Sequence, residues 1–264
     1  MPMALISPVI PSPNASTYSV IQRSLDQTIT RQQLEEASVH APSIARADCI
    51  RMHQLLAGIF ISRLPKPEAL AFQRGLTMQG IEAEVVADSL LPALPSEIRC
   101  MRIARIDRQL HFRDFMDKQT IVPLDEVLFI AGACIEEMAL SRTTVTKQLH
   151  IGRGVTVPVE ESRLRESAER SVRIDFFFSR PPHRISLRSA EATRFFVQDH
   201  PIYLRKPEII AWAFQKVRSW APADCRLNRL IHAEQPLKDR VPMLAYEEEI
   251  RWRFYRLRHP APAS

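Results

Sequence analysis

The chain has 264 residues, of which 45% are hydrophobic and 25% are charged, the composition of a folded protein with one large or two small domains. Only 6 residues are glycine, and neither the dinucleotide-binding nor the phosphate-loop glycine pattern occurs, which argues against both of those folds. No apolar run approaches the roughly 18 residues that a spanning helix needs, so the sequence predicts no membrane span.

Positive charge is concentrated in the second half of the chain. Residues 141–264 hold 23 basic and 14 acidic side chains, a net charge of +9, against +6 for the whole chain. Of these 23 basic residues 19 are arginine, whose planar guanidinium grips phosphate and carboxylate groups in pairs. Two interpretations stay open: a genomic preference for arginine that leaves a solvated face, or a surface that binds a polyanion.

The N-terminus and the cysteines predict a cytoplasmic protein. Residues 1–13 contain no basic side chain before their apolar stretch and are interrupted by Pro8 and Pro11, which is unlike a secretory signal. The cysteines have no short paired spacing, as expected for small buried hydrophobes of an intracellular protein: Cys49, Cys100, Cys134 and Cys225.

Residues 1–47 are interpreted as a disordered, mobile N-terminus that contains one helix. Residues 1–16 are rich in proline and serine, and such a segment buries too little apolar surface to fold. Between residues 17 and 39, apolar side chains recur about every four positions and favour a helix: Ile21, Leu25, Ile29 and Leu34. Pro42 ends this helix, and residues 41–47 are interpreted as a linker.

The first folded region is predicted at residues 48–138, as an α+β domain. A strand at 59–61 precedes a helix at 67–79 and a second strand at 81–86. So short a strand–helix–strand unit places its two strands parallel in one sheet. The helix has one apolar face, formed by Ala69, Phe72 and Leu76.

Four further apolar runs follow without a gap long enough for a helix and predict an antiparallel meander. They lie at residues 98–105, 110–115, 121–122 and 127–130. Gly132, within the last of these strands, indicates a bulge or a close approach of the backbone to another group.

Residues 139–170 are interpreted as a connection that carries a surface helix. The helix is predicted at 160–170, which has helix-forming residues but little apolar surface. Residues 142–146 fit either an edge strand or a loop.

Residues 171–264 are predicted to form a β-hairpin followed by helices. Strands at 173–178 and 185–187 flank a proline turn, and helices follow from Pro207 and at 246–257. In the last helix, Glu247–Glu249 are placed in the first turn and arginines in later turns, an order that suits the helix dipole. The fold class is therefore predicted as α+β, with two small mixed regions after a mobile N-terminus.

No residue pattern supports a catalytic, cofactor or metal site. Cys49 and His53 stand four apart, as zinc ligands on one helix face do, but no second pair completes a tetrahedral set. Adjacent carboxylates in Glu247–Glu249 point in different directions on a helix, and no serine lies in an elbow of small residues. The sequence therefore favours a protein without catalytic activity and without a cofactor.

Residues 68–86 combine a helix rich in alanine, leucine and glutamine with the sequence Gly80-Ile81-Glu82-Ala83-Glu84-Val85. This stretch resembles small prokaryotic signal-transducing domains, in which a helix is followed by a strand with the motif G-I-x-A-x-V. The run from Glu247 to Trp252 is similar to the tail of uncharacterised bacterial proteins. The resemblance implies a bacterial, non-enzymatic α+β unit and supplies no catalytic residue.

The leading functional prediction is a regulatory or adaptor protein that binds a protein or a small ligand without chemistry. The alternative is binding of nucleic acid or another polyanion through the arginine-rich second half. Arg184 and Arg188 are predicted on the outward face of one hairpin strand, and Arg173 joins them from the neighbouring strand if the register allows. Aromatic residues among these arginines fit either base stacking or helix packing: Tyr203, Trp212, Trp220, Trp252 and Tyr255.

Overall fold

The structure, a computed structural model, describes residues 16–55, 57–150, 156–179, 182–190, 193–223, 227 and 240–260. The predicted mixture of helices and strands in sheets is confirmed. The chain divides into two compact units: unit 1 comprises Met1–Leu94 and Glu247–Ser264, and unit 2 comprises Pro95–Tyr246. The predicted proline- and serine-rich tail lies largely outside the described residues.

Unit 1 is an α/β layer structure built on a small sheet. Its elements in chain order are β1 (Tyr18–Gln22), α1 (Arg31–Ser38), α2 (Arg46–Leu55), β2 (Ile59–Leu64), α3 (Lys66–Met78), β3 (Ala83–Ala87) and most of the C-terminal helix α5 (Met243–Arg258). The described strands form a three-stranded sheet in the order β2-β1-β3, with β1 antiparallel to both neighbours. The strands β2 and β3 therefore run parallel, as predicted, but β1 lies between them.

The helix predicted over residues 17–39 is wrong in its first part, where the structure has β1. Val20 and Ile21 are both fully buried, because the two faces of this central strand contact two different apolar clusters. The second part is helical from Arg31, where the Thr30 and Gln33 side chains form a capping box. The predicted linker is also folded, since Ala41 and Ile44 are buried and α2 begins at Arg46.

Unit 2 consists mainly of strands. Its elements are β4 (Glu97–Cys100), β5 (Arg102–Ile106), β6 (Gln109–Arg113), β7 (Gln119–Pro123), β8 (Val127–His150), β9 (Thr156–Ser179), β10 (Pro182–Ala190), β11 (Phe195–Val197), β12 (His200–Ile202), α4 (Pro207–Arg218) and β13 (Arg240–Val241). The described residues form two five-stranded sheets, a large sheet ordered β13-β8-β9-β10-β4 and a small sheet ordered β12-β11-β5-β6-β7. Buried side chains of both sheets and of α4 make one apolar core.

The predicted meander is confirmed for β5, β6 and β7, which pair in antiparallel order. The single strand predicted at 98–105 is instead two strands, because the chain leaves the large sheet and enters the small sheet at Met101. The fourth predicted meander strand, β8, belongs to the large sheet. At Gly132 a Cβ atom would lie 2.7 Å from Leu227 Cδ1, so the close approach is real and the neighbour is a side chain.

The surface helix predicted at 160–170 is wrong. The strands β8 and β9 are 24 residues long each and pair from Val127 to His150, so residues 139–150 and 156–170 form an antiparallel ribbon. Of the two alternatives for residues 142–146, the strand is the one found. The strand is found here because residues 156–170 pair with β8 along their whole length, and this tertiary context overrides local helix propensity.

The predicted hairpin and both C-terminal helices are present. Ile185 of β10 pairs with Phe176 of β9, so the apolar side chains of the two strands share the buried face. The helix α5 begins at Met243, so Glu247–Glu249 lie beyond its first turn, contrary to the prediction. None of the described helices is long and apolar enough to cross a membrane.

Candidate functional site

A cleft of about 620 Å³ opens on unit 2 beside β4 and β10. Among the described residues it is lined by the side chains of three arginines and one carboxylate, namely Arg99, Arg188, Arg194 and Glu169. Phe115 and Tyr203 add aromatic walls. A concave site with converging cations and rings is suited to an anion that carries an apolar or planar part.

The strands of the large sheet position two of the arginines. Arg99 of β4 is the register partner of Ser186 of β10, and Arg188 follows two residues later on the same face of β10. The Arg99 side chain is exposed and donates from Nε to Glu97 Oε1 at 3.0 Å. Arg188 is half-buried, with Glu169 Oε1 3.9 Å from its Nη2.

The third arginine comes from the segment before β11. Arg194 donates from Nη1 to the Tyr203 hydroxyl at 2.9 Å, and its guanidinium carbon lies 5.7 Å from the centre of the Tyr203 ring. Within the described part of the chain, no carboxylate lies at ion-pair distance from Arg194. The contacts of its guanidinium that the structure describes are therefore with aromatic side chains, Tyr203 and Phe196.

A buried ionic network lies directly behind the cleft wall. Arg173 donates from Nε to the Asp175 carboxylate at 2.8 and 2.9 Å, and from Nη2 to Glu97 Oε2 at 2.8 Å. The same Nη2 donates to Ser186 Oγ at 3.0 Å. Ser186 lines the cleft, and so does Arg99, which donates to Glu97. The network therefore holds β4 and β10, the strands that carry Arg99 and Arg188, in position.

Arg184 and Tyr246 complete the network. The Arg184 guanidinium lies 3.6 Å from Glu97 and 3.9 Å from Asp175, and the Tyr246 hydroxyl donates to Asp175 Oδ2 at 2.9 Å. The two arginines and two carboxylates balance in charge, which is the condition for keeping ions in a dry interior.

The pKa values of two network members reflect this pairing. Burial opposes the ionisation of Glu97, but the charge and hydrogen bond of Arg173 outweigh it and hold the Glu97 pKa below its usual value. Burial likewise opposes the charge on Arg173, and Asp175 and Glu97 hold the Arg173 pKa above its usual value. Both groups are therefore ionised over the whole physiological range.

The three arginines predicted for polyanion binding have two different environments. Arg173 and Arg184 are buried in the ionic network, with relative exposures of 2% and 6%, so the predicted outward position of Arg184 is wrong. The alternation along β10 is as predicted, but the face opposite Ile185 and Leu187 is covered rather than solvated. Of the three, Arg188 is the one that lines the cleft. Its register partner on β9 is Arg173, so these two arginines are neighbours across the strands, as predicted.

The remaining cleft residues, Arg99, Arg194 and Phe115, were missed from the sequence. Arg99 and Glu97 are two residues apart on β4 and therefore lie on the same face of the strand. Placing them beside Arg184 also requires the parallel pairing of β4 with β10, which the sequence does not show. Phe115 lies in the turn between β6 and β7 and is 64% exposed, which apolar periodicity does not foresee. Of the aromatic residues in the basic half, Tyr203 lines the cleft, whereas Trp220, Trp252 and Tyr255 are buried.

The cleft offers little for covalent chemistry. Burial raises the pKa of the Cys100 thiol to about 11, so this sulfur is protonated at neutral pH and is a poor nucleophile. The Ser186 and Thr193 oxygens accept hydrogen bonds from Arg173 and from the Ala190 amide, and the described lining residues include no histidine to act as their base.

The metal candidates considered from the sequence are not brought together. Cys49 is buried on α2, where its thiol donates to the Leu34 carbonyl oxygen, and His53 follows in the last turn of that helix. Nowhere in the described residues do three or more potential metal ligands cluster.

No protein-family model, curated protein or solved structure matches this chain. The resemblance of residues 68–86 to signal-transducing domains therefore stays a prediction.

Proposed function

We propose that this is a non-enzymatic, regulatory or adaptor-type binding protein, and that unit 2 takes a small anionic ligand in the arginine-lined cleft. The observation that carries the proposal is the convergence of Arg99, Arg188 and Arg194 on one cavity of about 620 Å³. Cavities of about 300–1,000 Å³ are the usual size of small-molecule sites. A cytoplasmic location is part of the proposal, supported by the buried free thiols of Cys49 and Cys100.

Two features of the cleft select the ligand. Among the described lining residues three cations face one carboxylate, Glu169, and this excess favours a ligand with at least two negative charges. The exposed ring of Phe115 and the ring of Tyr203 favour a ligand that also carries a flat or apolar group. Phosphorylated or polycarboxylated small molecules have this chemistry.

The buried network supports binding by keeping the cleft arginines in position before the ligand arrives. Glu97 bonds Arg99 with one oxygen and Arg173 with the other, so the exposed arginine is tethered to a buried ion pair. A pre-organised cation loses less conformational freedom on binding, and more of its attraction to the ligand is retained as affinity.

The proposal is tested by titrating the full chain with adenosine monophosphate, inorganic phosphate and citrate at low salt, using calorimetry. We expect at least one of these anions to bind, and its affinity to fall as salt is added, because exposed charges are screened. Arg188→Ala and Arg194→Ala should each weaken that binding about tenfold, the loss of roughly one charge-assisted hydrogen bond.

The matched control is Arg108→Ala, which removes an exposed arginine of unit 2 that does not line the cleft. Its affinity should equal that of the wild type. Binding of none of the three anions at low salt removes the proposal, and so does equal binding by wild type, Arg188→Ala and Arg194→Ala.

A further inference from the structure

A strip of alternating cations and aromatic rings runs from the cleft across the small sheet of unit 2. We call Arg102, Phe196, Arg194, Tyr203 and Lys206 the basic–aromatic strip. The guanidinium carbon of Arg102 lies 4.2 Å from the centre of the Phe196 ring, and that of Arg194 lies 5.5 Å from the same centre. Arg194 then reaches Tyr203 at 5.7 Å, and Lys206 Nζ lies 5.8 Å from the Tyr203 ring.

The fold places this strip on the open face of the small sheet. Phe195 and Val197 of β11 are fully buried, so Phe196 between them points to the opposite face, where it is partly exposed. Its register partner on the adjacent parallel strand β5 is Arg102, which is exposed. Strand pairing thus sets the Arg102–Phe196 contact, whereas Arg194, Tyr203 and Lys206 lie in the segments that flank β11 and β12.

The cation–ring contacts of the strip share residues. Four contacts, at 4.2 to 5.8 Å from a ring centre, join only five residues. Arg102 contacts one ring and Arg194 contacts two, and both arginine side chains are exposed.

The charge of the strip is only slightly compensated. Arg102 has one carboxylate at ion-pair distance, the 88% exposed Asp199, whose Oδ1 lies 3.7 Å from Nη1. For Arg194 and Lys206, the described residues supply no carboxylate at that distance. A surface with three cations and two rings in sequence is complementary to a chain of phosphates whose planar bases are free to stack.

We propose that the basic–aromatic strip binds single-stranded nucleic acid and that the cleft takes one nucleotide of that strand. The inference rests on the proposed anion-binding function, because Arg194 and Tyr203 belong both to the cleft and to the strip. A duplex fits the strip less well, because its bases are stacked on one another and do not offer their faces to rings or guanidinium planes.

The test measures fluorescence anisotropy of labelled mixed-sequence RNA and DNA, single-stranded and about 12 nucleotides long, with the full chain. A duplex of the same length and adenosine monophosphate are measured in parallel. The strip is removed by Arg102→Ala/Lys206→Ala, which leaves every cleft residue in place, and the cleft is weakened by Arg188→Ala. The matched control, Arg108→Ala/Lys118→Ala, removes two exposed cations of the same unit outside both sites.

We expect the single strands to bind more tightly than both the duplex and the mononucleotide. The strip variant should lose at least tenfold in single-strand affinity and keep its mononucleotide affinity. Because each phosphate contact contributes about 0.7 to the salt slope of single-strand binding, loss of two contacts should lower that slope by about 1.4. Contacts to the 2′-hydroxyl distinguish RNA from DNA, and tighter binding of either strand type supports the proposal.

Three results overturn the inference and separate its failure from that of the proposed function. If the mononucleotide binds and Arg188→Ala weakens it, but the strip variant binds strands like the control, the cleft function stands and the strip does not. If the duplex binds as tightly as the single strands, the strip recognises only the negative charge of the phosphates, and the inference fails. If neither strands nor mononucleotide bind at low salt, this inference fails, and binding of phosphate or citrate then decides whether the cleft function stands.

Discussion

Arg173 and Arg188 face each other across β9 and β10, yet solvent reaches only one of them. The Arg173 side chain is 3% exposed and that of Arg188 is 28% exposed. A buried cation is held by its carboxylates, and those carboxylates depend on it in turn. The same residue type therefore has a structural task at one position and is available to a ligand at the other.

Arg173→Ala should lower the free energy of unfolding by about 3–5 kcal/mol, because Asp175 and Glu97 would be left buried without their main cation. Arg188→Ala should cost less than about 1 kcal/mol, since its ion pair with Glu169 is long and partly solvated. Urea unfolding followed by circular dichroism measures both values. Equal losses in the two variants would contradict the assignment of separate tasks.

Glu97 makes the stability of unit 2 depend on acidity. Its pKa is lower in the folded protein than in the unfolded chain, where a glutamate titrates near pH 4.3, because Arg173 and Arg99 outweigh the cost of burial. The stabilisation is thus fully present above that value and is lost as the pH falls through the folded-state pKa.

Comparison of the wild type with Glu97→Gln tests this dependence. The variant should be less stable at pH 7, and the difference in free energy of unfolding between the two proteins should shrink as the pH is lowered from about 5 towards 3. Urea titrations across that range give the difference directly. A difference that stays constant with pH would show that the Glu97 charge does not stabilise the fold.

Among the elements of unit 1, α1 and α3 are held at a distance that only glycine permits. A Cβ atom on Gly75 of α3 would lie 2.4 Å from the carbonyl oxygen of Ala37 and 2.8 Å from its Cα atom. Since both contacts are to backbone, neither helix can relieve the overlap by changing a side-chain rotamer.

Gly75→Ala should therefore destabilise unit 1, although alanine is the better helix former by about 1 kcal/mol. Overpacking costs about 1–3 kcal/mol and the gain in helix propensity offsets about 1 kcal/mol of it, so we expect a net loss of up to about 2 kcal/mol in thermal or urea unfolding. Arg74→Ala, at the exposed neighbouring position of α3, is the control and should change stability by less than about 0.5 kcal/mol. A more stable Gly75→Ala would mean that the two helices separate freely.

The ribbon of β8 and β9 differs from the rest of the large sheet in having only two strands. Residues 171–178 of β9 pair with β8 on one side and with β10 on the other, whereas residues 156–170 pair, among the described residues, with β8 alone. An isolated two-stranded ribbon is only marginally stable in water.

Backbone amides of the ribbon, at 139–150 and 156–168, should therefore exchange with deuterium much faster than amides at 172–178. Hydrogen exchange followed by mass spectrometry separates these peptides. Equal protection of both segments would show that something besides the opposite strand stabilises the ribbon.

At the scale of the whole molecule, unit 1 is made from two distant stretches of the chain. Trp252 and Tyr255 of α5 pack against Ile21, Ile59 and Val86 of its sheet. The Trp252 indole donates from Nε1 to the Gln22 carbonyl oxygen at 2.7 Å. The first stretch of unit 1 thus holds the complete sheet but not the complete core.

Trp252→Ala should lower the stability of unit 1 by about 3–5 kcal/mol, the usual cost of removing a large buried aromatic side chain. Leu257→Ala in the same helix removes a side chain that is 48% exposed and should cost less than about 1 kcal/mol. Denaturant unfolding followed by far-ultraviolet circular dichroism compares the two. A loss no larger than that of the control would contradict the two-part core.

Local physics made part of this architecture predictable. The helix α3 follows from Ala69, Phe72 and Leu76 at helical spacing, and α4 from the proline that begins it and the apolar face behind it. The β9–β10 hairpin follows from the alternation of Ile174, Phe176 and Phe178. In each case the signal is carried by residues close together in the chain.

Long-range pairing decided the rest. Apolar spacing in residues 17–39 is typical of a helix. The strand β1 forms there instead, because it pairs with a neighbouring strand on each side and packs against an apolar cluster on each face. The division of residues 98–105 between two sheets, and the pairing of β4 with β10, likewise depend on strands far along the chain.

The candidate site shows the same division. The arginine excess of the second half was evident from the sequence, and Arg188 was singled out from it. Which arginines are buried and which face the cleft depends on what covers each face of β9 and β10, and alternation along a strand says only that two faces exist. Composition and periodicity thus determined the charge and the local elements of this protein. Tertiary packing alone decided which charges are neutralised inside and which remain free to bind.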